Sequence, residues 1–335
     1  MDLTSATAHI LKEATMSTFP TAGFPIIGGL IPATFGKIIF VDSGRGSDGN
    51  SGLTMKRAVA TVAKAYDLAT TGENDVICLC GDSTHTLTSM LTVAKNRVHF
   101  VGLGVGKRHY GQSAKINMGL TTAATDIATI KVTGIRCSFT NLKITNTNAV
   151  GTNAACLYTF VDGGEYTSIK DSECYKEGYL GTTLAAEFVA NGDSGQYENC
   201  TFGSLANYQT GTTIRPAVSF TQGLAGTGLV ARDILFKDST IWKNAGHING
   251  RHVYGANATD IERIAVFENC TFINSVLSAA VPAQCVAFGA TLTVGQVLLK
   301  DCVSINNTKL STTTNVFVSG AVPTAATSGI AVQGA

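Results

Sequence analysis

Charge is what this chain has least of. Lys and Arg together number 24 and Asp and Glu 23 among 335 residues, so 14% of side chains are charged, against roughly a quarter in ordinary globular chains, and the net charge is +1. No basic run or stripe occurs, which argues against a phosphate-tracking, nucleic-acid-binding surface. Paired CxxC spacing is missing as well. The nine cysteines, Cys78, Cys80, Cys137, Cys156, Cys174, Cys200, Cys270, Cys285 and Cys302, are odd in number and do not read as a zinc site or a disulfide framework. No apolar segment is long enough to span a bilayer, and neither a nucleophile elbow nor a dinucleotide-binding glycine fingerprint is present. What remains, 36 Gly with many Thr, Ser, Asn and Ala, favours stacked strands over charged surface helices.

A repeat fills the space those absences leave. FENCTFIN from Phe267 recurs as FTNLKITN from Phe139, IKDSECYK from Ile169, YENCTFGS from Tyr197, FKDSTIWK from Phe236 and LKDCVSIN from Leu299. A large apolar residue stands two places before an Asn or Asp, and a Cys or Ser directly follows that Asn or Asp in every copy except FTNLKITN. Inward residues at −2 and +1 break the alternation of a strand, so the chain bends at Asn141, Asp171, Asn199, Asp238, Asn269 and Asp301. Asn and Asp suit such a bend because they tolerate left-handed backbone angles. Subtraction gives intervals of 30, 28, 39, 31 and 32 residues, the period of a solenoid. Cys200, Cys270 and Cys302 share one slot and read as buried free thiols packed as small hydrophobes, which fits assembly in a reducing cytosol. A second column, in AEFVANGD from Ala186, AVSFTQG from Ala217, CVAFGA from Cys285 and NVFVSGA from Asn315, places Phe before a Gly-containing turn.

Taken in order, residues 1–35 read as an arm. Asp2, Lys12 and Glu13, with Gly28, Gly29 and Pro32 breaking the apolar run, make a poor secretory leader. Phe19, Phe24, Ile26, Ile27, Leu30 and Ile31 lie among prolines and are expected to cover the chain's own body or to form an interface with another chain. Residues 36–75 read as an N-terminal cap: a strand GKIIFVD, a turn DSGRGSDGNSG and a helix from about Lys56 to Thr70 with Val59, Val62, Tyr66 and Ala69 on one face. Residues 76–309 carry the repeat, and 310–335, which contain no charged side chain, form the last coil and a C-terminal arm.

Candidate chemistry is sparse. Asp42, Asp48 and Asn50 offer oxygen ligands to a cation such as calcium, although a capping turn explains them more simply and no cofactor is expected. GLGVGK, with Gly102, Gly104, Gly106 and Lys107, lacks the Walker spacing and reads as a turn. Glu165, Asp171 and Glu173 with Lys170, or Asp260, Glu262 and Arg263, are the carboxylate groups from which an acid–base site could be built. His247 and His252 flank HINGRH and with Asp260 suggest a metal or acid–base site, against the plainer reading of ordinary loop histidines. Trp242 and Tyr254 could form a sugar platform or pack in a core or interface.

Together the strand–bend repeat, FVDSGRGSDGNSG, the following helix and NDVICL resemble the right-handed parallel β-helix, the pectate-lyase-like fold, over residues 36 to 307. The fold expected is therefore all-β, a β-helix solenoid with an N-terminal capping helix and extended terminal arms. Many functions use it. The apolar arm and uncharged C-terminus look most like a bacteriophage virion component, and that resemblance implies a non-enzymatic capsid decoration or cement protein. It further implies a homotrimer bound to the major capsid protein or other virion proteins, located in the virion and assembled in the host cytoplasm, with no nucleic-acid or membrane partner. The alternative is a polysaccharide lyase, depolymerase or carbohydrate-binding spike.

Overall fold

Apolar residues two places ahead of each bend stack directly upon one another. In the computed structural model Ile77, Phe100, Phe139, Ile169, Tyr197, Phe236, Phe267 and Leu299 pair in register through successive parallel strands. All of them are fully buried. The structure describes residues 36–81, 83–104, 113–119, 127–147, 157–177, 185–205, 208–209, 211–276, 280–319 and 330–331. The arm residues Phe19, Phe24, Ile26, Ile27, Leu30 and Ile31 lie outside the described residues, as do Cys156, Gly106 and Lys107.

The chain forms a right-handed parallel β-helix with a single capping helix. Among the described residues three sheets run its length, with ten, ten and seven strands. Strands before the bend, such as Ile264–Glu268, make the first sheet; strands after it, such as Thr271–Asn274, make the second; the Phe column, such as Ala186–Ala190, makes the third. The bend residues take left-handed angles at every copy: Asn141 (φ 55°), Asp171 (49°), Asn199 (53°), Asp238 (50°), Asn269 (51°) and Asp301 (53°). Their side chains link coils as well, since Asn199 Nδ2 donates to Asp171 Oδ1 and Asn269 Nδ2 to Asp238 Oδ1 at 2.6 Å.

Two local expectations change. The helix is shorter than its apolar spacing predicts, running Val62–Leu68 behind a 3-10 turn at Met55–Arg57. Val59 pairs in extended conformation with the first strand, its N–H donating to Phe40 O at 3.0 Å, so backbone pairing outweighs helical spacing there. Phe317 leaves the Phe column: Val316–Val318 adds to the first sheet with Leu298 opposite Phe317, which turns the ring outward, 48% exposed.

All eight cysteines among the described residues are free and buried. Burial pushes the Cys200 and Cys285 thiols up to about 12, which keeps them protonated and inert. Cys200 Sγ donates to Glu198 O at 3.2 Å, and Cys302 Sγ to Phe267 O at 3.3 Å, so the repeated thiol also serves the bend as a weak donor.

Candidate functional site

A β-helix offers its outer faces to a ligand, and here the three differ in what covers them. On the third sheet the outward Val161 and Val189 are buried beneath Leu224, Ala225 and Leu229, which belong to the long insertion between Asn199 and Asp238. On the second sheet the outward Glu173, Tyr175, Thr201 and Thr240 are buried too. On the first sheet, from the coil of Ser138 onward, the outward side chains are half-buried or exposed among the described residues.

Its central outward row reads Ser138, Ser168, Gln196, Leu235, Val266, Leu298 and Phe317, each opposite the next. Six strand spacings give this floor a length of about 29 Å. It is polar in its early coils and aliphatic in its later ones.

One side of the floor is bordered by a charge ladder. The residue after each core position is Thr140, Lys170, Glu198, Lys237, Glu268 and Lys300, again in register. Lys170 Nζ lies 2.8 Å from Glu198 and Lys300 Nζ 2.9 Å from Glu268, with Lys237 between the two glutamates.

The other border is the edge where each coil enters the first sheet. Arg97 (φ 54°), Arg136 (60°), Tyr166 (56°), Ser194 (56°) and Asp233 (49°) occupy left-handed angles there, each three residues ahead of its core position. Such angles disfavour residues with a Cβ and persist only where neighbouring structure fixes them. Parallel bridges from Ile135 to Glu165, Glu165 to Asp193 and Asp193 to Arg232 supply that constraint. Charged side chains from successive coils are thereby stacked. Arg232 Nε meets Glu262 Oε2 at 2.5 Å, and Arg263 Nη2 meets Asp193 Oδ1 at 3.1 Å and Asp233 Oδ2 at 2.9 Å. The hydrogen bond to Glu262, and behind it the charges of Asp193 and Glu165, raise the proton affinity of the Arg232 guanidinium. Arg136 sits 5.5 Å over the ring of Tyr166, which is exposed together with Glu165. Three guanidiniums, those of Arg136, Arg232 and Arg263, the carboxylates of Glu165, Asp193, Asp233 and Glu262, and an exposed phenol thus share one edge. Such a set can neutralise a bound carboxylate and exchange protons beside it.

Beneath this edge lies a carboxyl group that no repeat predicts. Asp162 is fully buried; its Oδ1 accepts from Gly164 N (3.0 Å) and Thr167 Oγ1 (2.8 Å), and its Oδ2 from Tyr197 Oη (2.6 Å). It ties the turn carrying Glu165 and Tyr166 to the core. Desolvation pushes its pKa from 3.8 up to about 6, with the three hydrogen bonds opposing. A carboxyl raised in the folded state adds stability that is fully present below pH 4 and lost as pH rises through about 6. Asp162→Asn should therefore reduce the difference in unfolding free energy between pH 4 and pH 7 by about 2 kcal/mol, most of the worth of that shift. Denaturant titrations at the two pH values check this, and an unchanged difference in the variant contradicts it.

The remaining candidates are scattered. Glu165, Glu262 and Arg263 lie on the edge, Glu262 paired with Arg232 and Arg263 with Asp193 and Asp233, whereas Asp171 is a bend residue and Glu173 is buried on the second sheet. Asp260 is buried and closes a loop, accepting from Gln222 N and Asn257 N at 2.8 Å each. His252 is sealed in the core edge-on to Phe272, burial taking its pKa down to about 3, while His247 accepts from Asn249 N in a turn. Trp242 and Tyr254 lie on different sheets and make no shared platform. In the DSGRGSDGNSG turn Asp48 accepts from Ala60 N and Thr61 N at 2.9 Å, Asp42 from Gly44 N and Arg45 N at 3.0 Å, and Asn50 donates to Ala58 O. Among the described residues no group of three His, Cys, Asp or Glu is placed to hold a metal ion.

No family model matches the chain, and no curated protein matches it in sequence. Solved structures do. The chain is similar to pectin methylesterase from Aspergillus niger in deglycosylated form, at 14% identity and TM-score 0.53, over 85% of this chain and 84% of that one. It is also similar to a rhamnogalacturonan lyase, at 13% identity and TM-score 0.56, over 81% of this chain and 69% of that one. Pectin methylesterase PemA from Erwinia chrysanthemi matches at 14% identity and TM-score 0.50, over 83% and 82% of the two chains. At these identities the likeness establishes the fold.

These likenesses correct the expectation of a virion decoration or cement protein. The matching structures bear the names of carbohydrate-active proteins. The non-enzymatic role, the virion location, assembly in a host cytoplasm and the major capsid protein as partner all hung on the virion resemblance and fall with it; the homotrimer rested on that resemblance alone. The physical reason is that scarce charge and β-prone, apolar segments are what any solenoid of stacked parallel strands requires, so they carry no information about a capsid.

Proposed function

We propose that the protein is a carbohydrate-active enzyme that lays a uronate-bearing polysaccharide along the open outer face of the first sheet and cleaves it by β-elimination at the arginine edge. One observation carries this reading: the face that the described residues leave uncovered is bordered along its length by charged side chains, with Arg232 and Arg263 held in place by Asp193, Asp233 and Glu262. Eliminating a uronide requires removal of the proton next to its carboxylate, and the charge that develops there must be neutralised. Guanidiniums already oriented by carboxylates need little reorganisation for that task. Of the exposed edge carboxylates Asp233 is paired with Arg263, which leaves Glu165 to take the proton, and Tyr166, beside Arg136, is the hydroxyl to protonate the departing glycosidic oxygen. Aliphatic floor residues Leu235, Val266 and Leu298 offer contact to the C–H faces of the sugars. The names carried by structures of this fold, pectin methylesterase and rhamnogalacturonan lyase, support a pectic polymer as the first substrate to try.

Incubation with polygalacturonate, rhamnogalacturonan and methyl-esterified pectin tests the proposal, with polymer length and new chain ends followed over time. Shortened chains with unsaturated ends are expected. Retention of polymer without new ends, or ends that are saturated, overturns the elimination.

A further inference from the structure

The ladder beside the floor has a period of two coils. Lys170, Lys237 and Lys300 alternate with Glu198 and Glu268, so like charges recur at about 9.6 Å along the axis, twice the strand spacing. The bend column repeats with it: Asp171, Asp238 and Asp301 follow the lysines, and Asn199 and Asn269 follow the glutamates. Each of those asparagines donates to the aspartate of the coil before it. Every ladder residue is half-buried or exposed, with Lys170 and Lys300 side chains 49% and 48% accessible. Cross-strand pairing of opposite charges stabilises a stack whatever its function, but each such exposed pair contributes little.

An extended chain of pyranose rings advances by about one strand spacing per sugar, so a polymer on the floor presents one sugar to each coil. Lysines favour a carboxylate on the sugar they face. Glutamates repel one and accept hydrogen bonds from neutral hydroxyls instead. We infer that this face selects a linear heteropolysaccharide in which a uronate alternates with a neutral sugar, over a polymer carrying a carboxylate on every residue. This selectivity rests on the proposed polysaccharide function and specifies the substrate class within it.

Binding of three probes to the full chain tests the inference: the rhamnogalacturonan backbone, alternating in uronate; polygalacturonate, charged at every residue; and a neutral galactan. The alternating polymer should bind about tenfold more tightly than polygalacturonate, and Lys170→Gln, Lys237→Gln and Lys300→Gln combined should abolish that preference. Because lost affinity could reflect lost structure, a second variant should gain affinity. Glu198→Gln with Glu268→Gln removes the repulsion, so polygalacturonate should bind roughly threefold or more tightly to it than to the natural protein. Equal binding of the two acidic polymers by the natural protein, or no gain in the double variant, overturns the alternation while leaving the polysaccharide function standing. Failure to bind either acidic polymer overturns both.

Discussion

Replacing Phe236 by Ala should destabilise the β-helix by about 3–5 kcal/mol, the range for truncating a buried aromatic. Phe236 is fully buried and lies 4.6 Å from Phe267 in a near-parallel stack and 4.7 Å from Tyr197. Phe202, at 5.4 Å, and Phe188 and Phe220, each at 6.2 Å, close around it, so the first and third sheets and the strand after the bend all lose contacts at once. A neighbouring coil cannot collapse into the gap without breaking register with the coils on either side. Phe236→Leu, which keeps most of the volume, should cost less than half as much. Urea unfolding of the two variants measures both, and a cost below about 1 kcal/mol for the alanine would contradict a core of stacked rings.

Removing both Arg232 and Arg263 should lower kcat/KM on an acidic polymer by about a thousandfold while leaving the unfolding midpoint nearly unchanged. The asymmetry follows from exposure. Arg232 and Arg263 side chains are 41% and 51% accessible, and ion pairs at such positions contribute under about 1 kcal/mol to folding. A transition state with charge accumulating on a uronate carboxylate depends on them far more. Lysine at both positions should restore only part of the rate, because an ammonium is a point charge without the planar fork that meets a carboxylate through two hydrogen bonds. Comparable loss of stability and activity would instead make the pair structural.

Much of the fold was legible because a solenoid writes its rules once per coil. The apolar residue at −2, the bend at Asn or Asp and the thiol at +1 each recur, and each maps onto one physical role: core stack, left-handed angle, buried weak donor. What was hidden falls into two kinds. The helix was overextended because Val59 satisfies helical spacing and strand pairing equally well, and only the partner strand decides between them. The arginine edge was overlooked for a different reason. Its residues share a backbone angle and an offset of three from the core position while running from Arg97 and Arg136 through Tyr166 and Ser194 to Asp233, so no letter holds along the column. Glu165, Asp193 and Arg232 are further apart in sequence than any local motif, and parallel stacking alone makes them neighbours. The alternating K–D and E–N pairs after the core residues were present in the sequence, but their meaning depends on knowing that this face is the open one.

The placement of the polymer can be measured directly by hydrogen exchange of the full chain with and without a bound uronate oligosaccharide. Peptides covering 163–170, 193–198, 232–237 and 262–268, which carry the arginine edge, the floor and the charge ladder, should exchange more slowly when the oligosaccharide is bound. The second-sheet strand Thr271–Asn274 and the third-sheet strand Ala186–Ala190 should be unaffected. Protection confined to either of those sheets, or no protection anywhere under saturating oligosaccharide, would contradict a substrate lying on the first sheet.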